Sequence, residues 1–169
     1  LGEPLMLADP ADRFIREPAW MVFRATGGFD FVVVDYHALY GNSLARRRAE
    51  LQALPDAMDL VRTNVRSTSP GERDFLLAGD FNLVCTDRAF DGLRKNGLQA
   101  INPGLGTTIA DNSYDNLWLD LASTPEFTGQ WGIVRFDEIE FDNDDKRASQ
   151  AVSDHRPLWA RFSTGPDDD

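Results

Sequence analysis

A short apolar strand, Asp74 to Ala78, runs straight into Gly79-Asp80-Phe81-Asn82. Gly79 lets the backbone turn sharply. Asp80 and Asn82 stand two residues apart, so extended backbone would point both to one side and Phe81 into the core. A carboxylate beside a primary amide can hold a hard cation or a phosphate oxygen. The same tetrapeptide can also build a plain turn, as Asp and Asn after a strand commonly do. A second cluster, Ser153-Asp154-His155-Arg156-Pro157, sets a metal-ligand type beside a proton carrier at the head of a strand. Its bland alternative is a turn capped by Ser153 with a solvent-facing histidine. The chain has two histidines, and the other, His37, ends a β-branched run. Asp115, in Tyr114-Asp115, precedes a further β-prone run and can orient an imidazole through its ring N–H.

The elements that must position these groups are legible from pattern. Trp20 to Arg24 and Phe29 to Tyr36 flank the turn-forming Ala25-Thr26-Gly27-Gly28 and read as a hairpin, leaving His37 at a strand edge. Asn42 or Ser43 caps a helix whose apolar positions Leu44, Leu51, Leu54, Met58, Val61 and Val65 recur at helical spacing; Pro55 must kink or restart it. Arg46, Arg47 and Arg48 fall on or near the outer face, as a solvated face or, less simply, a phosphate patch. Thr86 to Lys95 reads as a helix stopped by Gly97, Asn116 to Leu121 and Trp131 to Phe136 as strands, and Asn143 to Lys146 as a charged loop. Leu1 to Glu17 reads as irregular, and Pro157 to Phe162 as a final alternating strand with Leu158, Ala160 and Phe162 on one face. Strands mixed with two helices fit an α+β layered domain with sheet packed on sheet.

Composition bounds what the groups can do. At 169 residues the chain is the size of one domain with a real core. No apolar run approaches the roughly 20 residues of a membrane span, and no signal-peptide pattern opens the sequence. One cysteine, Cys85, excludes an internal disulfide and a cysteine-rich zinc site, and leaves the redox compartment open. The formal charge of −11 is unfavourable toward a polyanion over long range. Bound divalent cations would offset it locally, whereas charges spread over an acidic surface need no such account. Asp167, Asp168 and Asp169 read as a solvated tail over residues 164–169.

Strand-Gly-Asp-Phe-Asn in mid-chain and Ser-Asp-His-x-Pro near the end resemble the two signature motifs of the endonuclease/exonuclease/phosphatase family. Further segments resemble its deoxyribonuclease I branch in order: Arg16-Glu17-Pro18-Ala19, the strand ending at His37, Tyr114-Asp115, and Phe136-Asp137. The resemblance implies a four-layer α/β-sandwich of the deoxyribonuclease I-like type, with residues 1–163 as the C-terminal part of a catalytic domain. It implies a metal-dependent phosphodiesterase, DNA being the first substrate, with Mg²⁺ as the cofactor and Mn²⁺ or Ca²⁺ as alternatives. Carried over residue by residue, Asp80, Asn82 and Asp154 are expected metal positions, and Asn82, His155 and Arg16 expected phosphate contacts. His155, oriented by Asp115, and His37 are the expected acid–base pair, with Asp80 positioning the attacking water.

Two departures accompany the match. Domains of this family run to about 250 residues, near the upper end of single-domain size; the upstream strand-borne asparagine and metal-binding glutamate are not in this sequence. The expectation is therefore an inactive fragment partnered by an N-terminal segment of its own domain, with an open apolar face or a missing strand. Asn112 stands where secreted deoxyribonucleases carry a cysteine that pairs with one near Cys85. Other readings are a phospholipid or sphingolipid phosphodiesterase, an inositol-phosphate phosphatase, or a non-catalytic binding domain. Ser113-Tyr114-Asp115-Asn116 differs from the aromatic-Cys-Asp-Arg segment of the inositol phosphatases.

Overall fold

A computed structural model describes residues 3–165 together with 167 and 168. β1 (Leu5–Met6), β2 (Ala19–Arg24) and β3 (Asp30–His37) lead to α1 (Leu44–Leu51) and α2 (Leu54–Arg66), then to β4 (Phe75–Asp80). α3 (Asp91–Lys95), β5 (Gln99–Ala100), β6 (Asp115–Leu119) and β7 (Phe127–Ile133) follow. α4 (Phe136–Ile139), α5 (Asp145–Ala151) and β8 (Leu158–Phe162) complete the described elements. One sheet runs β1-β2-β3-β4-β6-β5 and a second holds β7 and β8. β3 and β4 are parallel, joined through α1 and α2, while the other pairings are antiparallel. A parallel pair needs such a crossover.

Period-2 patterning sorts the side chains into two cores. Val32, Val34 and Tyr36 of β3, Phe75 and Leu77 of β4 and Trp118 of β6 face Leu51, Leu54, Met58, Val61 and Leu93 of the helices. From the opposite face Leu76, Leu117 and Leu119 meet Phe127, Trp131, Leu158, Ala160 and Phe162 of β7 and β8. Helices, large sheet and small sheet are thus stacked layers of an α+β fold. The first hairpin, β2 with β3, pairs in full register from Ala19↔Asp35 to Arg24↔Asp30. Pro55 stands in the first turn of α2, where its missing N–H removes no helical bond, so the predicted helix restarts there.

Several expectations are corrected. The helix over 86–95 is a 3-10 turn at Arg88–Phe90, capped by Asp87, followed by the short α3. The strand placed at 131–136 begins earlier, at Phe127, and Phe136 opens α4 instead. The charged loop at 143–146 enters α5, whose Asp144 cap accepts from Arg147 N; charge masked a cap-then-helix signal. The N-terminal segment read as irregular contributes β1. Arg47 and Arg48 are not simply solvated: Arg47 Nη1 donates to Asn82 O at 2.7 Å and Arg48 clamps Asp87 through Nε and Nη2. The acidic tail is not free of the body either, since the Asp167 carboxyl hydrogen-bonds that of Asp30; Pro166 and Asp169 of that predicted tail lie outside the described residues.

Candidate active site

The parallel pairing sets the C-terminal ends of β3 and β4 side by side, with His37 opposite Asp80. Antiparallel β6 then sets Asp115 opposite Asp80 on the other side. Direct cross-strand partners share a sheet face, so His37, Asp80 and Asp115 form one row. Gly79 makes the approach of β4 to β3 possible: a Cβ there would lie 1.8 Å from Tyr36 O, and its φ is 150°. His155 arrives from the segment before β8. That segment is zipped to residues 107–112 by the Thr108↔His155 bridge, Arg156 N to Thr107 O at 2.7 Å and Ile109 N to Asp154 O at 2.8 Å.

The side chains converge. Asp80 Oδ2 lies 3.5 Å from His37 Nε2 and 3.9 Å from His155 Nε2. His155 Nδ1 lies 2.8 Å from Asp115 Oδ2, and Ser153 Oγ accepts from the His155 backbone N–H. Asp80 Oδ1 accepts from Asn82 N at 2.9 Å. Asn82 is buried with φ 49°, in the left-handed region, and its Nδ2 donates to Ala38 O at 3.0 Å. The expected shared orientation of Asp80 and Asn82 does not come from extended backbone: the strand ends at Asp80, and an Asx-type turn brings Asn82 round. Both still border the same cavity of about 510 Å³, with His37, Asp154 and His155. Tyr40, Thr108 and Tyr114 border it too. Asp115 stands behind His155, in the wall of an adjoining groove. Arg16 does not line the cavity; its guanidinium is 3.4 Å from the carbonyls of His37 and Ala38, against the back of the strand end.

Burial raises the Asp80 carboxyl above its ordinary range, helped by nearby Asp115; the Asn82 N–H and the two histidines only partly oppose this. Burial lowers His155, but the hydrogen bond and charge of Asp115, with Asp80 and Asp154, outweigh it, so the imidazole is raised. A carboxyl raised and an imidazole raised, bordering one cavity, mark both groups as candidates for proton exchange.

Among the described residues Asp80, Asp115 and His155 offer ligand atoms within 4.8 Å of one another. His155 Nδ1 is already committed to Asp115, so this set is better read as an acid–base pair beside Asp80 than as a three-ligand metal nest. The expected ligands Asp80, Asn82 and Asp154 all border the cavity and supply oxygens; one Asn82 amide N–H is held by Ala38 O, and the amide oxygen is the atom that can ligate a metal. An all-oxygen set fits a hard divalent cation.

Residues to which the sequence reading gave no role hold this arrangement. Glu50, buried in α1, accepts from Ile15 N and Leu39 N, tying the Arg16 segment to the end of β3. Thr107 Oγ1 accepts from Tyr114 N and Asp115 N, fixing the start of β6. Arg156, 4% exposed, is bonded to buried Asp137 and to Asp111. The signal for Glu50 was a charge beside Leu51 on the apolar stripe. Thr107 and Asp137 carried no local signal of these partners.

No family model matches the chain. It is 33% identical over 174 residues to a deoxyribonuclease of Thioalkalivibrio sp. (strain K90mix), across 96% of this chain and 47% of that protein. It is 29% identical over 111 residues to the human endonuclease/exonuclease/phosphatase family domain-containing protein 1, across 61% of this chain and 20% of that protein. The chain therefore spans about half the length, or less, of these relatives. Among solved structures, the endonuclease/exonuclease/phosphatase from Bacteroides vulgatus superposes with TM-score 0.58 at 17% identity, over 95% of this chain and 64% of that one. The 3′ phosphatase NExo from Neisseria, bound to a product DNA hairpin, gives 0.54 at 14%, over 95% and 70%. At such identity these two likenesses speak for the fold.

Proposed function

The chain belongs to the endonuclease/exonuclease/phosphatase, or deoxyribonuclease I-like, family, and from that premise we infer that the protein hydrolyses phosphodiesters, with DNA as substrate, by in-line attack of water on phosphorus. The observation that carries this reading is the position of the Asp80 carboxylate between the Nε2 atoms of His37 and His155, with Asp115 on the far nitrogen of His155.

Asp115 accepts from Nδ1–H, which leaves Nε2 of a neutral His155 as a proton acceptor and of a charged one as a donor, aimed into the cavity. His37 Nε2 supplies a second proton-handling atom on the other side of Asp80. Two such groups flanking one phosphorus would take a proton from water and give one to the leaving oxygen, each step contributing roughly 10²–10⁴-fold. Asp80 orients the water, and the second Nδ2 N–H of Asn82, whose other N–H is held by Ala38 O, contacts a phosphate oxygen. Asp80, Asn82 and Asp154 would hold the cation, Mg²⁺ first, which when bound neutralises phosphate charge. Arg16, with its guanidinium at the strand end carrying His37, is the proposed contact for a flanking phosphate. The relative named a deoxyribonuclease favours DNA over lipid or inositol phosphates.

The open groove between the sheets, bordered by Ala78, Leu117, Leu158 and Ala160, is the proposed seat of an upstream segment of the same domain. The 169-residue chain by itself is accordingly expected to be inactive. The test uses the full-length protein: plasmid nicking with Mg²⁺ against EDTA, beside sphingomyelin and inositol-phosphate hydrolysis. Nicking that Asp80→Ala and His155→Ala each abolish, with the circular dichroism spectrum retained, is the expected result. Full activity in both variants overturns the assignment; hydrolysis of lipid without DNA overturns the substrate.

A further inference from the structure

A second group of carboxylates lies at the other end of β4 from the catalytic row. Asp74, which directly precedes β4, Glu126, just ahead of β7, and Asp168 present ligand oxygens within 4.8 Å of one another. Asp74 is fully buried and Glu126 is 5% exposed. Glu126 Oε2 is shut off from solvent and has no hydrogen-bond partner among the described residues. An ionised carboxylate oxygen in that state loses its hydration without replacement, which costs several kcal/mol for an isolated charge. Other carboxylates lie nearby. Glu72 is buried and accepts from Asp74 N, and Asp167 meets Asp30 close by. Arg24, a cation near Asp167 and Glu72, is held by Asp30.

We propose that Asp74, Glu126 and Asp168 form a cation site separate from the catalytic cavity, built for Ca²⁺. Three carboxylates with no imidazole or thiolate select a hard ion. Oxygens within 4.8 Å of one another can share one ion, and Ca²⁺, bound by carboxylates in flexible geometry at about 2.3–2.6 Å, suits an irregular all-carboxylate set, whereas Mg²⁺ demands strict octahedral geometry and keeps several waters. The ion would tie the entry to β4 in the large sheet to the entry to β7 and the segment after β8 in the small sheet, two pieces already joined to each other by the bond from Ser163 N to Glu126 O at 2.8 Å. It would act as a staple between the sheets at the pole remote from the chemistry, and supply stability without touching substrate.

The test is thermal unfolding of the full-length protein with and without Ca²⁺, with calorimetric titration of the same ion. Wild type should gain of order 5 °C at about 100-fold excess of Ca²⁺ over its dissociation constant. Glu126→Gln should lose that gain and one bound ion, keep its DNA hydrolysis when Mg²⁺ is supplied, and melt in EDTA no lower than wild type. That last arm guards against simple misfolding, since a neutral amide relieves the repulsion when no ion is bound. Asp115→Asn, in the catalytic row, should keep the Ca²⁺ gain. A gain that survives in Glu126→Gln, a gain lost in Asp115→Asn, or no gain in wild type, each overturns the proposal.

Discussion

The two ends of β4 carry acid clusters of different construction. At its C-terminal end Asp80 is ringed by groups that exchange protons: two imidazoles, a second carboxylate bonded to one of them, and the Asn82 N–H. At its N-terminal end, on the order of 20 Å away along a six-residue strand, Asp74 meets Glu126 and Asp168 with no imidazole in the group. One arrangement is mixed and opens on a cavity bordered by Tyr40 and Asp154. The other is all oxygen, with two of its three residues buried. Carboxylates alone therefore do not mark chemistry. What separates a reaction centre from a holding site is whether a neighbouring base can change charge as the acid does, and whether substrate can reach it.

Removing the proton carrier should separate the two ends most sharply. His155→Ala in the full-length protein is expected to cut the rate constant for DNA cleavage by roughly 10²–10⁴-fold, with little change in melting temperature. Asp115→Asn should cost less and leave a fingerprint in pH. Asp115 is the group that chiefly raises His155, so its loss lowers the imidazole pKa and moves the corresponding limb of the rate–pH profile to lower pH. A limb that stays in place in Asp115→Asn would break the assignment of His155 to that limb.

Next in size is the support beneath the catalytic end. Arg156 is bonded to Asp137 through Nε at 2.9 Å and to Asp111 at 2.8 Å, and both Arg156 and Asp137 are buried. Arg156→Met leaves the Asp137 charge in place without its partner, and should cost about 3–5 kcal/mol in chemical denaturation at neutral pH. The hydrogen bond from Arg156 holds Asp137 below the ordinary carboxylate range. Its stabilisation is therefore complete above that range and is lost as pH falls through the depressed value. The difference between wild type and Arg156→Met should shrink in acid. A difference independent of pH would assign the loss to packing.

The contrast between the two clusters also explains which parts of the molecule were legible in the sequence. His37, Asp80, Asp115 and His155 were visible because each sits at a strand end, and strand ends follow from β-branched runs and glycine punctuation. The β2–β3 hairpin and the restart at Pro55 were visible for the same local reasons. Asp74, Glu126 and Asp168 were not, since 42 residues, by sequence number, separate the second from the third and only the layering of sheets brings them together. Arg47 looked like one of three surface arginines. Its bond to Asn82 O depends on α1 crossing behind the turn after β4, which no helical periodicity encodes. The turn itself was misjudged in mechanism: a left-handed Asn82, not an extended strand, directs that side chain. The strand at 131–136 was displaced because Gly129 hid the strand start at Phe127, while Phe136 carried the aromatic signal into a helix.

The smallest expected effect is the one that tests whether the two ends obey the same electrostatics. Burial raises Asp80, so in the folded protein its ionised form is disfavoured. The sign follows: below the ordinary aspartate pKa the group is protonated in both states and costs nothing, and above the raised folded value the destabilisation is complete. Asp80→Asn should therefore raise stability in EDTA at neutral pH by order 1 kcal/mol, the common scale of single substitutions, while abolishing cleavage. The gain should fade as pH drops through the carboxylate range and also when Mg²⁺ is added, because the ion binds wild type better. Glu126→Gln should show the same fading with Ca²⁺ and keep its activity. If Asp80→Asn is destabilising at neutral pH in EDTA, the Asp80 charge is satisfied by His37 and His155 alone, and the catalytic row would be a finished ion-pair network that has no electrostatic need of a cation.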